Sequence, residues 1–250
     1  MNSKRIRYGF KETTNFYIAT GIDDILCSDA WHFGFRKNGQ PNLGGFINAL
    51  IPGLNQYRED LHERFLEENG NNEELVGVIE KNLFGIYLKT FDLSDDALTN
   101  ISFRINTEHK DDFVQIHDEI LRKVDMSFSA YLVSLLNEYA GKPFFLREIL
   151  FQYRIVEKIV RSIDSSSLTA FHLKDGNVIE AVPLGVEPIL LKGGNQIPAI
   201  SFDKKSAFLI SLGDIQKANS GSQKIDISQK DSDFVMAFID KRLAEEAKEQ

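Results

Sequence analysis

The sequence has a single cysteine and lacks long apolar runs. Cys27 is the only cysteine among 250 residues, which excludes an intrachain disulfide and favours an intracellular protein. No uninterrupted apolar run approaches the ~20 residues that cross a bilayer. We therefore expect a cytoplasmic protein without disulfides and without membrane contacts.

Histidine is also scarce. The chain contains five histidines: His32, His62, His109, His117 and His172. They show no metal-ligand spacing with cysteine or aspartate, so no zinc motif is present. His117 falls on the apolar face of a predicted helix, where a buried histidine is commoner than a general base. No catalytic constellation is recognisable, and we expect neither an enzyme nor a metal or other cofactor.

The charge is unevenly distributed. The net charge of −8 argues against indiscriminate binding to polyanions. Lys4, Arg5, Arg7 and Lys11 nevertheless occur at the amino end without an acidic residue between them, whereas acids concentrate at residues 59–80 and at the carboxyl end. The sequence therefore allows a local basic patch at its amino end.

A short strand is predicted at residues 101–106. Apolar residues there alternate with polar ones, which is typical of a half-buried strand. The polar side of that strand would carry Ser102, Arg104 and Asn106.

Two helices are predicted after this strand. Apolar residues recur at helical spacing over 113–124 and again over 128–139. Ser127 is a good N-cap for the second helix, which Gly141 and Pro143 should end. The predicted order is strand, helix and capped helix.

The same pattern occurs 85 residues earlier. Subtracting 85 places residues 100–106 on 15–21 and Ser127 on Asn42, which is also a good N-cap. We interpret the match as a degenerate internal repeat, which predicts that the two strands pair antiparallel within one chain. A competing register takes residues 5–10 as the first strand but spoils the spacing to Asn42.

The repeated order resembles the ribbon-helix-helix module. Two such units pair their strands into a ribbon that enters a nucleic-acid groove. The resemblance implies that the polar strand positions face the nucleic acid and that the amino end of the second helix points at a phosphate. The expected interface consists of Lys4, Arg5, Arg7, Ser102, Arg104, Asn106, Ser127 and Ser129. An ordinary α+β core without a ligand remains the alternative.

The first half contains two further features. Trp31, Phe33 and Phe35 lie at the end of its first predicted helix. Such a cluster can stack unpaired bases, but it more often belongs to the core, and we expect core positions. Pro52 should kink or end the second helix.

The fold class expected for the whole chain is α+β. Residues 1–143 would form a tandem ribbon-helix-helix-like domain, and 144–164 a long connecting helix. That helix presents a second candidate nucleic-acid surface of basic residues: Arg147, Arg154, Lys158 and Arg161. Residues 165–218 read as five short strands, and 219–250 as a polar loop followed by a helix.

The strand region suits a small barrel. The turn at 174–177 is a strong hairpin signal between its first two strands. We expect the barrel core to contain Val182, Leu184, Ile200, Phe202 and Leu212.

Residues 165–218 resemble the WYL domain, an Sm-like barrel. The segment 181–186 fits the proline strand of that family. Residues 197–203 stand where the tryptophan-tyrosine-leucine triplet belongs and lack it, and 210–215 keep the apolar frame of the closing motif without its arginines. The resemblance therefore implies the barrel but leaves the charged ligand pocket of the family doubtful.

Together the two domains resemble the WYL-domain accessory proteins of type VI-D CRISPR loci. That resemblance implies binding of single-stranded RNA and stimulation of an RNA-guided RNA nuclease as partner. WYL proteins often dimerise through their carboxyl ends, so the resemblance to them also implies a homodimer. Two alternatives remain open. One is a transcription regulator that binds duplex DNA through the ribbon. The other is a protein-interaction module that binds no nucleic acid.

Overall fold

A computed structural model of the chain describes residues 11–78, 97–123, 127–189 and 192–249, with the side chains of 121–123 and 249 excepted. The chain divides into two compact units between Pro143 and Phe144. Both units combine helices and strands, which confirms the α+β class. Within the described ranges, no helix has the length and apolar content required to cross a bilayer.

The first unit contains two strand-helix-helix segments. The first consists of β1 (Thr13–Ala19), α1 (Thr20–His32), a hairpin of β2 (Arg36–Lys37) and β3 (Gln40–Pro41), and α2 (Leu43–Glu68). The second consists of β4 (Leu98–Arg104), a 3-10 turn (Thr107–His109), α3 (Lys110–Lys123) and α4 (Phe128–Ala140).

The strands β1 and β4 pair antiparallel, as predicted, and form a two-stranded ribbon within one chain. The first strand begins and ends two residues earlier than predicted, and the second begins three residues and ends two residues earlier. The first strand stops because Thr20 starts α1, and the Thr20 hydroxyl donates a hydrogen bond of 2.6 Å to the carbonyl of Ala97. One face of the ribbon is buried through four apolar side chains: Phe16, Ile18, Ile101 and Phe103.

The two predicted N-caps make the same kind of hydrogen bond, from the backbone N–H three residues later to the cap side chain. The Asn42 carboxamide oxygen accepts a hydrogen bond of 3.1 Å from the backbone N–H of Gly45. The Ser127 hydroxyl accepts one of 3.2 Å from the N–H of Ala130. Each cap satisfies a backbone donor in the first turn of its helix, which confirms both predictions.

One expectation for the first unit is wrong, and one of the two outcomes expected at Pro52, the end of the helix, does not occur. Pro52 does not end α2, because the buried face of the helix around it, from Phe46 to Leu54, supplies packing that outweighs the local cost of a proline. Trp31 is exposed rather than core, since α1 ends at His32 and the chain turns into the β2–β3 hairpin. Phe33 is buried, as expected.

The second unit consists of two helices, six strands and a final helix. Its elements are α5 (Phe144–Phe151), α6 (Tyr153–Asp164), β5 (Ser167–Leu173), β6 (Val178–Pro183), β7 (Glu187–Ile189), β8 (Gly194–Ser201), β9 (Ala207–Ser211), a 3-10 turn (Leu212–Asp214), β10 (Ile215–Lys224) and α7 (Gln229–Glu249).

The connecting helix expected at 144–164 is two helices. They are separated at Gln152, whose φ of −101° and ψ of 23° depart from helical values. The Gln152 side chain is buried, and neither of its amide atoms has a hydrogen-bond partner among the described residues.

The sheet differs from the five-stranded barrel expected at 165–218. The strand order is β10-β5-β6-β8-β7, and β9 also pairs with β8. Because β10 pairs with neither β7 nor β9 in the described part of the chain, no closed barrel forms. The strand β10 also extends to Lys224, so half of the loop expected from residue 219 is strand, held by antiparallel pairing with β5.

Two apolar clusters complete the second unit. One joins residues of α6, such as Val156 and Ile159, to the sheet at Phe171 and Ile197. The other joins Val235 and Ile239 of α7 to strand residues that include Val182 and Ile200. The final helix therefore packs on its own sheet.

Four of the five expected barrel-core residues are buried or partly buried, and one is not. Val182, Ile200 and Leu212 are buried, and Leu184 packs against the cluster at α7. Phe202 is 54% exposed, because β8 ends at Ser201 and the chain turns there. A Phe202→Ala substitution should therefore cost far less than the loss of a core aromatic.

Candidate nucleic-acid interface

The outward face of the ribbon carries polar side chains from both strands. Alternation along β1 and β4 turns one set of side chains into the core and the other to solvent. Cross-strand pairing then brings the exposed residues together in three adjacent pairs. These pairs are Thr13 with Arg104, Asn15 with Ser102, and Tyr17 with Asn100.

Most of this face is available to a ligand. Among the described residues, the side chains of the five neutral members make no hydrogen bond. They offer hydroxyl and carboxamide groups, which donate and accept hydrogen bonds. Tyr17 lies near the middle of β1 and is 60% exposed, so its ring is also accessible. The face can therefore bind polar groups and stack on a planar one.

Arg104 is the cation of the described ribbon face, and it is engaged by an acid. Its side chain is 78% exposed, and Nη2 lies 3.3 Å from Oε2 of Glu12. Lys110 at the start of α3 donates a short hydrogen bond to the other oxygen of Glu12. Lys110 and then Arg104 lower the pKa of the Glu12 carboxyl through these hydrogen bonds. Glu12 therefore stays ionised and competes with any phosphate for Arg104.

The strand end at Arg104 is held by a buried asparagine. Asn48 on α2 donates from Nδ2 to the Arg104 carbonyl at 3.0 Å. Its Oδ1 accepts from the Asn106 N–H at 2.8 Å. Asn106 thus lies beyond β4, exposed, with its backbone tied to α2. Sequence reasoning missed Asn48, although a polar residue on an apolar helix face was the signal that could have indicated it.

The amino end of α4 is partly committed to its own structure. The Ser127 hydroxyl is used as the cap, and Ser129 is half-buried. The ring of Phe128, between them, lies edge-on to Phe113 and His117, with ring centroids 6.4 Å and 5.5 Å apart respectively. The helix packs against β1, which places it in the same unit as the ribbon.

Of the four amino-terminal basic residues, Lys11 belongs to the described part of the chain. Lys4, Arg5 and Arg7 lie outside the described residues. Lys11 is described and is exposed directly before β1. The chain enters β1 beside Arg104, because Thr13 is the cross-strand partner of Arg104.

Only two of the four basic residues of the second candidate surface line a common cleft. Lys158 and Arg161 on α6 line one cleft of about 420 Å³ with four polar residues: Ser165, Ser167, Asn219 and Ser220. Arg161 forms an ion pair with Glu157 on the same helix. Arg154 is exposed on α6, whereas Arg147 is half-buried with its guanidinium 5.7 Å from the Phe144 ring centroid. Neither of these two arginines lines the cleft.

No metal centre is recognisable in the part of the chain that the structure describes. Groups of three or more histidine, cysteine, aspartate or glutamate side chains close enough to hold an ion do not occur there. Cys27 lies 3.9 Å from the Asp23 carboxylate. Burial, followed by the charge of Asp23, raises the pKa of the Cys27 thiol. This environment suppresses the thiolate and gives the cysteine no evident chemical role.

Comparisons with known proteins give a fold likeness and nothing closer. No family model matches the chain. No curated protein matches it. Among solved structures, one described as "Crystal structure of a CRISPR Cas-related protein" is similar, with a TM-score of 0.58 and 15% sequence identity over 92% of this chain and 67% of that chain. At this identity, the two chains are shown to be similar in fold alone.

Proposed function

We propose that this chain is a nucleic-acid-binding accessory protein that holds single-stranded RNA on the outward ribbon face and modulates an RNA-guided CRISPR RNA nuclease. The proposal assigns binding and no catalytic step to the chain. The choice of single-stranded RNA as ligand and of an RNA-guided nuclease as partner rests on two resemblances. The first unit resembles ribbon-helix-helix proteins, and the second resembles WYL domains. The CRISPR context is supported by the structurally similar protein, which is a CRISPR Cas-related protein.

The observation that carries the proposal is the outward ribbon face. Six polar side chains from two strands are gathered there, and the five neutral ones make no hydrogen bond among the described residues. A surface that served only to stabilise the fold would gain little from this arrangement. The basic segment that precedes β1, with Lys4, Arg5, Arg7 and Lys11, supplies charge that the described face lacks.

Single-stranded RNA suits the face because one of its members is aromatic. An exposed tyrosine stacks on an unpaired base, and the neighbouring amides and hydroxyls read polar base edges. Tyr17 stands directly opposite Asn100 in the ribbon. Double-stranded RNA fits less well, since side chains cannot read its deep, narrow major groove.

Duplex DNA is the second candidate ligand. The major groove of B-DNA admits a two-stranded β-ribbon, and asparagine and arginine on such a ribbon read base edges directly. Asn15, Asn100 and Arg104 supply those groups here. A transcription regulator would use the same face and would prefer duplex to single strands. A protein-interaction module would show no salt-dependent binding to nucleic acid.

The test is a fluorescence anisotropy titration of labelled single-stranded RNA, single-stranded DNA and duplex DNA at two salt concentrations. The proteins compared are wild type, Arg104→Ala, Tyr17→Ala and the control Arg64→Ala. Arg64 is exposed on α2, about 24 Å along the helix from Asn48, which holds the strand end. Its removal takes away one charge from the same unit without touching the ribbon.

Single-stranded RNA should bind most tightly to the wild type. The loss of one phosphate contact in Arg104→Ala should reduce the slope of log affinity against log salt by ~0.7. Tyr17→Ala should weaken binding with little change of that slope, and Arg64→Ala should bind like the wild type. Tighter binding of duplex DNA would select the regulator. Equal binding by all four proteins would show that the ribbon is not part of the nucleic-acid interface.

The cleft on the second unit provides a competing location. A double variant, Lys158→Ala with Arg161→Ala, removes both cations from it. We expect this variant to retain most of the affinity for RNA. If it loses binding while the ribbon variants keep it, the second unit carries the nucleic acid.

A further inference from the structure

The β2–β3 hairpin distinguishes the first strand-helix-helix segment from the second. Arg36 pairs with Pro41 and Lys37 with Gln40 across a two-residue turn. Asn38 and Gly39 form that turn with φ values of 53° and 73°, the left-handed conformations that a type I′ turn requires. Ten residues separate α1 from α2 in the first segment, whereas four separate α3 from α4 in the second.

Two of the three aromatic residues near this hairpin anchor it. Phe33 stacks on Phe46 of α2 at a centroid distance of 6.0 Å, and Phe35 lies edge-on to the same ring at 5.6 Å. Trp31 does not take part in this packing and is 43% exposed. Phe33 and Phe35 therefore hold the hairpin on α2, while the Trp31 side chain remains accessible to solvent.

Trp31 is covered by a cation instead. The Arg36 guanidinium lies 4.0 Å from the centroid of the Trp31 ring. The same guanidinium donates to the Trp31 carbonyl, from Nη2 at 3.2 Å and from Nε at 3.4 Å. These bonds fix both groups side by side. Among the described residues, the indole makes no other ring contact or hydrogen bond.

The acid nearest to Trp31 in sequence, Asp29, is buried and accepts a hydrogen bond from the Tyr139 hydroxyl. No aspartate or glutamate occurs between Asp29 and Glu59, although the chain as a whole carries a net charge of −8. Neither Arg36 nor Lys37 forms an ion pair with a carboxylate in the described part of the chain. An indole beside such an arginine attracts a planar group attached to an anion and repels a cationic ligand.

We propose that Trp31 and Arg36 form a second contact for single-stranded nucleic acid, in which an unpaired base stacks at Trp31 and Arg36 holds an adjacent phosphate. This inference rests on the proposed binding function and adds a site that the ribbon does not contain. A base in a duplex is stacked on its neighbours and cannot reach the indole, so the contact favours single strands. The length of α1 separates Trp31 from the end of β1 by about 20 Å, so one strand must extend along the unit to reach both sites.

The chain offers a direct optical readout, because Trp31 is its only tryptophan. The experiment follows the emission of Trp31 in the wild-type protein during titration with unlabelled oligouridine and, separately, with duplex DNA. N-acetyltryptophanamide in the same titrations corrects for absorption by the nucleic acid. Stacking of a base should quench Trp31 at saturating oligouridine, and duplex DNA should quench it much less.

Affinity for labelled oligouridine is measured in parallel by anisotropy. Trp31→Ala should weaken binding roughly 5- to 150-fold, the loss expected for one stacked base, and Trp31→Phe should restore part of it. Arg36→Gln should reduce the salt dependence. Circular dichroism and the melting temperature establish that each variant folds, which the anchoring by Phe33 and Phe35 leads us to expect.

The outcomes separate this inference from the function on which it rests. Salt-sensitive binding of oligouridine with unchanged Trp31 emission, and full affinity in Trp31→Ala, overturns the second contact and leaves the ribbon proposal intact. Equal quenching by duplex DNA overturns the preference for single strands. Absence of any binding overturns both proposals.

Discussion

Phe16 and Ile101 lie directly opposite each other at the centre of the ribbon, and their numbers differ by 85, the offset that relates the two halves of the first unit. The same offset carries Thr13 to Leu98 and Ala19 to Arg104. Thr13 pairs with Arg104 and Ala19 pairs with Leu98, so exchanging the halves leaves the register unchanged. This self-complementary pairing is what a two-fold axis produces between identical subunits. Here one chain contains both sides of it.

The outward face keeps this symmetry only in part. Asn15 and Asn100 are counterparts under the offset, but Tyr17 corresponds to Ser102. A symmetric binding face would make the same contacts with both halves of a ligand, whereas this face presents a tyrosine on one side and a serine on the other. We predict that Tyr17→Ser weakens binding of single-stranded RNA by roughly 5- to 150-fold, whereas Ser102→Ala changes it by a few-fold at most. Anisotropy titrations of the two variants check this, and an equal loss in both would contradict it.

Glu12 should restrain the affinity of the ribbon. Its carboxylate binds Arg104 and Lys110, and the lowered pKa keeps it ionised at neutral pH. Glu12→Gln should release both cations, strengthen RNA binding by a few-fold and steepen its salt dependence. Glu108→Gln, which removes an exposed acid without touching Arg104, is the matched control. Weaker binding in Glu12→Gln would show that Glu12 positions Arg104 for the ligand.

Asn48 should be important for stability as well as for the site. Asn48→Leu leaves the Arg104 carbonyl and the Asn106 N–H without the partner that they have in the wild type. An unpaired buried polar group costs ~1–3 kcal/mol. We expect urea denaturation to show a loss of that size. A stable Asn48→Leu protein would mean that water satisfies both groups.

A buried ion pair joins α2 to α4. Arg58 Nη2 lies 2.9 Å from Glu138 Oε2, and both side chains are more than nine-tenths buried. Removing one partner should cost ~3–5 kcal/mol, because it leaves a buried charge uncompensated. The double variant Arg58→Met with Glu138→Leu should recover most of that loss. A double-mutant cycle by urea denaturation measures the coupling, and additive single effects would contradict it.

The second unit should show a specific acid sensitivity. Asp231 accepts hydrogen bonds from Lys204 and from Ser228 at the start of α7, which lowers its pKa to about 2. Because the folded pKa lies below the unfolded value, Asp231 stabilises the fold above pH ~3.8, and this contribution is lost as the pH falls toward 2. The unfolding free energy of Asp231→Asn should therefore depend less on pH between 4 and 2 than that of the wild type. Parallel pH dependence in the two proteins would exclude this role.

Local patterns predicted the ribbon and the caps well. Period-two alternation around Phe16 and Ile101 gave the strands, and the capping preference of Asn42 and Ser127 gave the starts of two helices. These features depend on nearby residues. The 85-residue offset added the long-range pairing, because equivalent strands in a repeat bury the same face.

Three features that depend on tertiary contacts outside the repeat were not predicted. The break at Gln152 has no proline or glycine to indicate it, and the polar end of β10 is a strand because it pairs with β5. Trp31 shares its aromatic character with Phe33, yet only the turn of the chain after His32 decides which of them is buried. The Asn38-Gly39 turn was the one local signal for that hairpin, and it was missed.

The most direct test of the central claim is to locate the nucleic acid on the wild-type chain. Single-stranded RNA that contains 4-thiouridine is bound, irradiated and digested, and the cross-linked residues are identified by tandem mass spectrometry. We predict adducts on the outward ribbon residues, above all on Tyr17. These adducts should disappear when unlabelled RNA competes. Adducts confined to the second unit around Lys158 and Arg161, with none on β1 or β4, would contradict it.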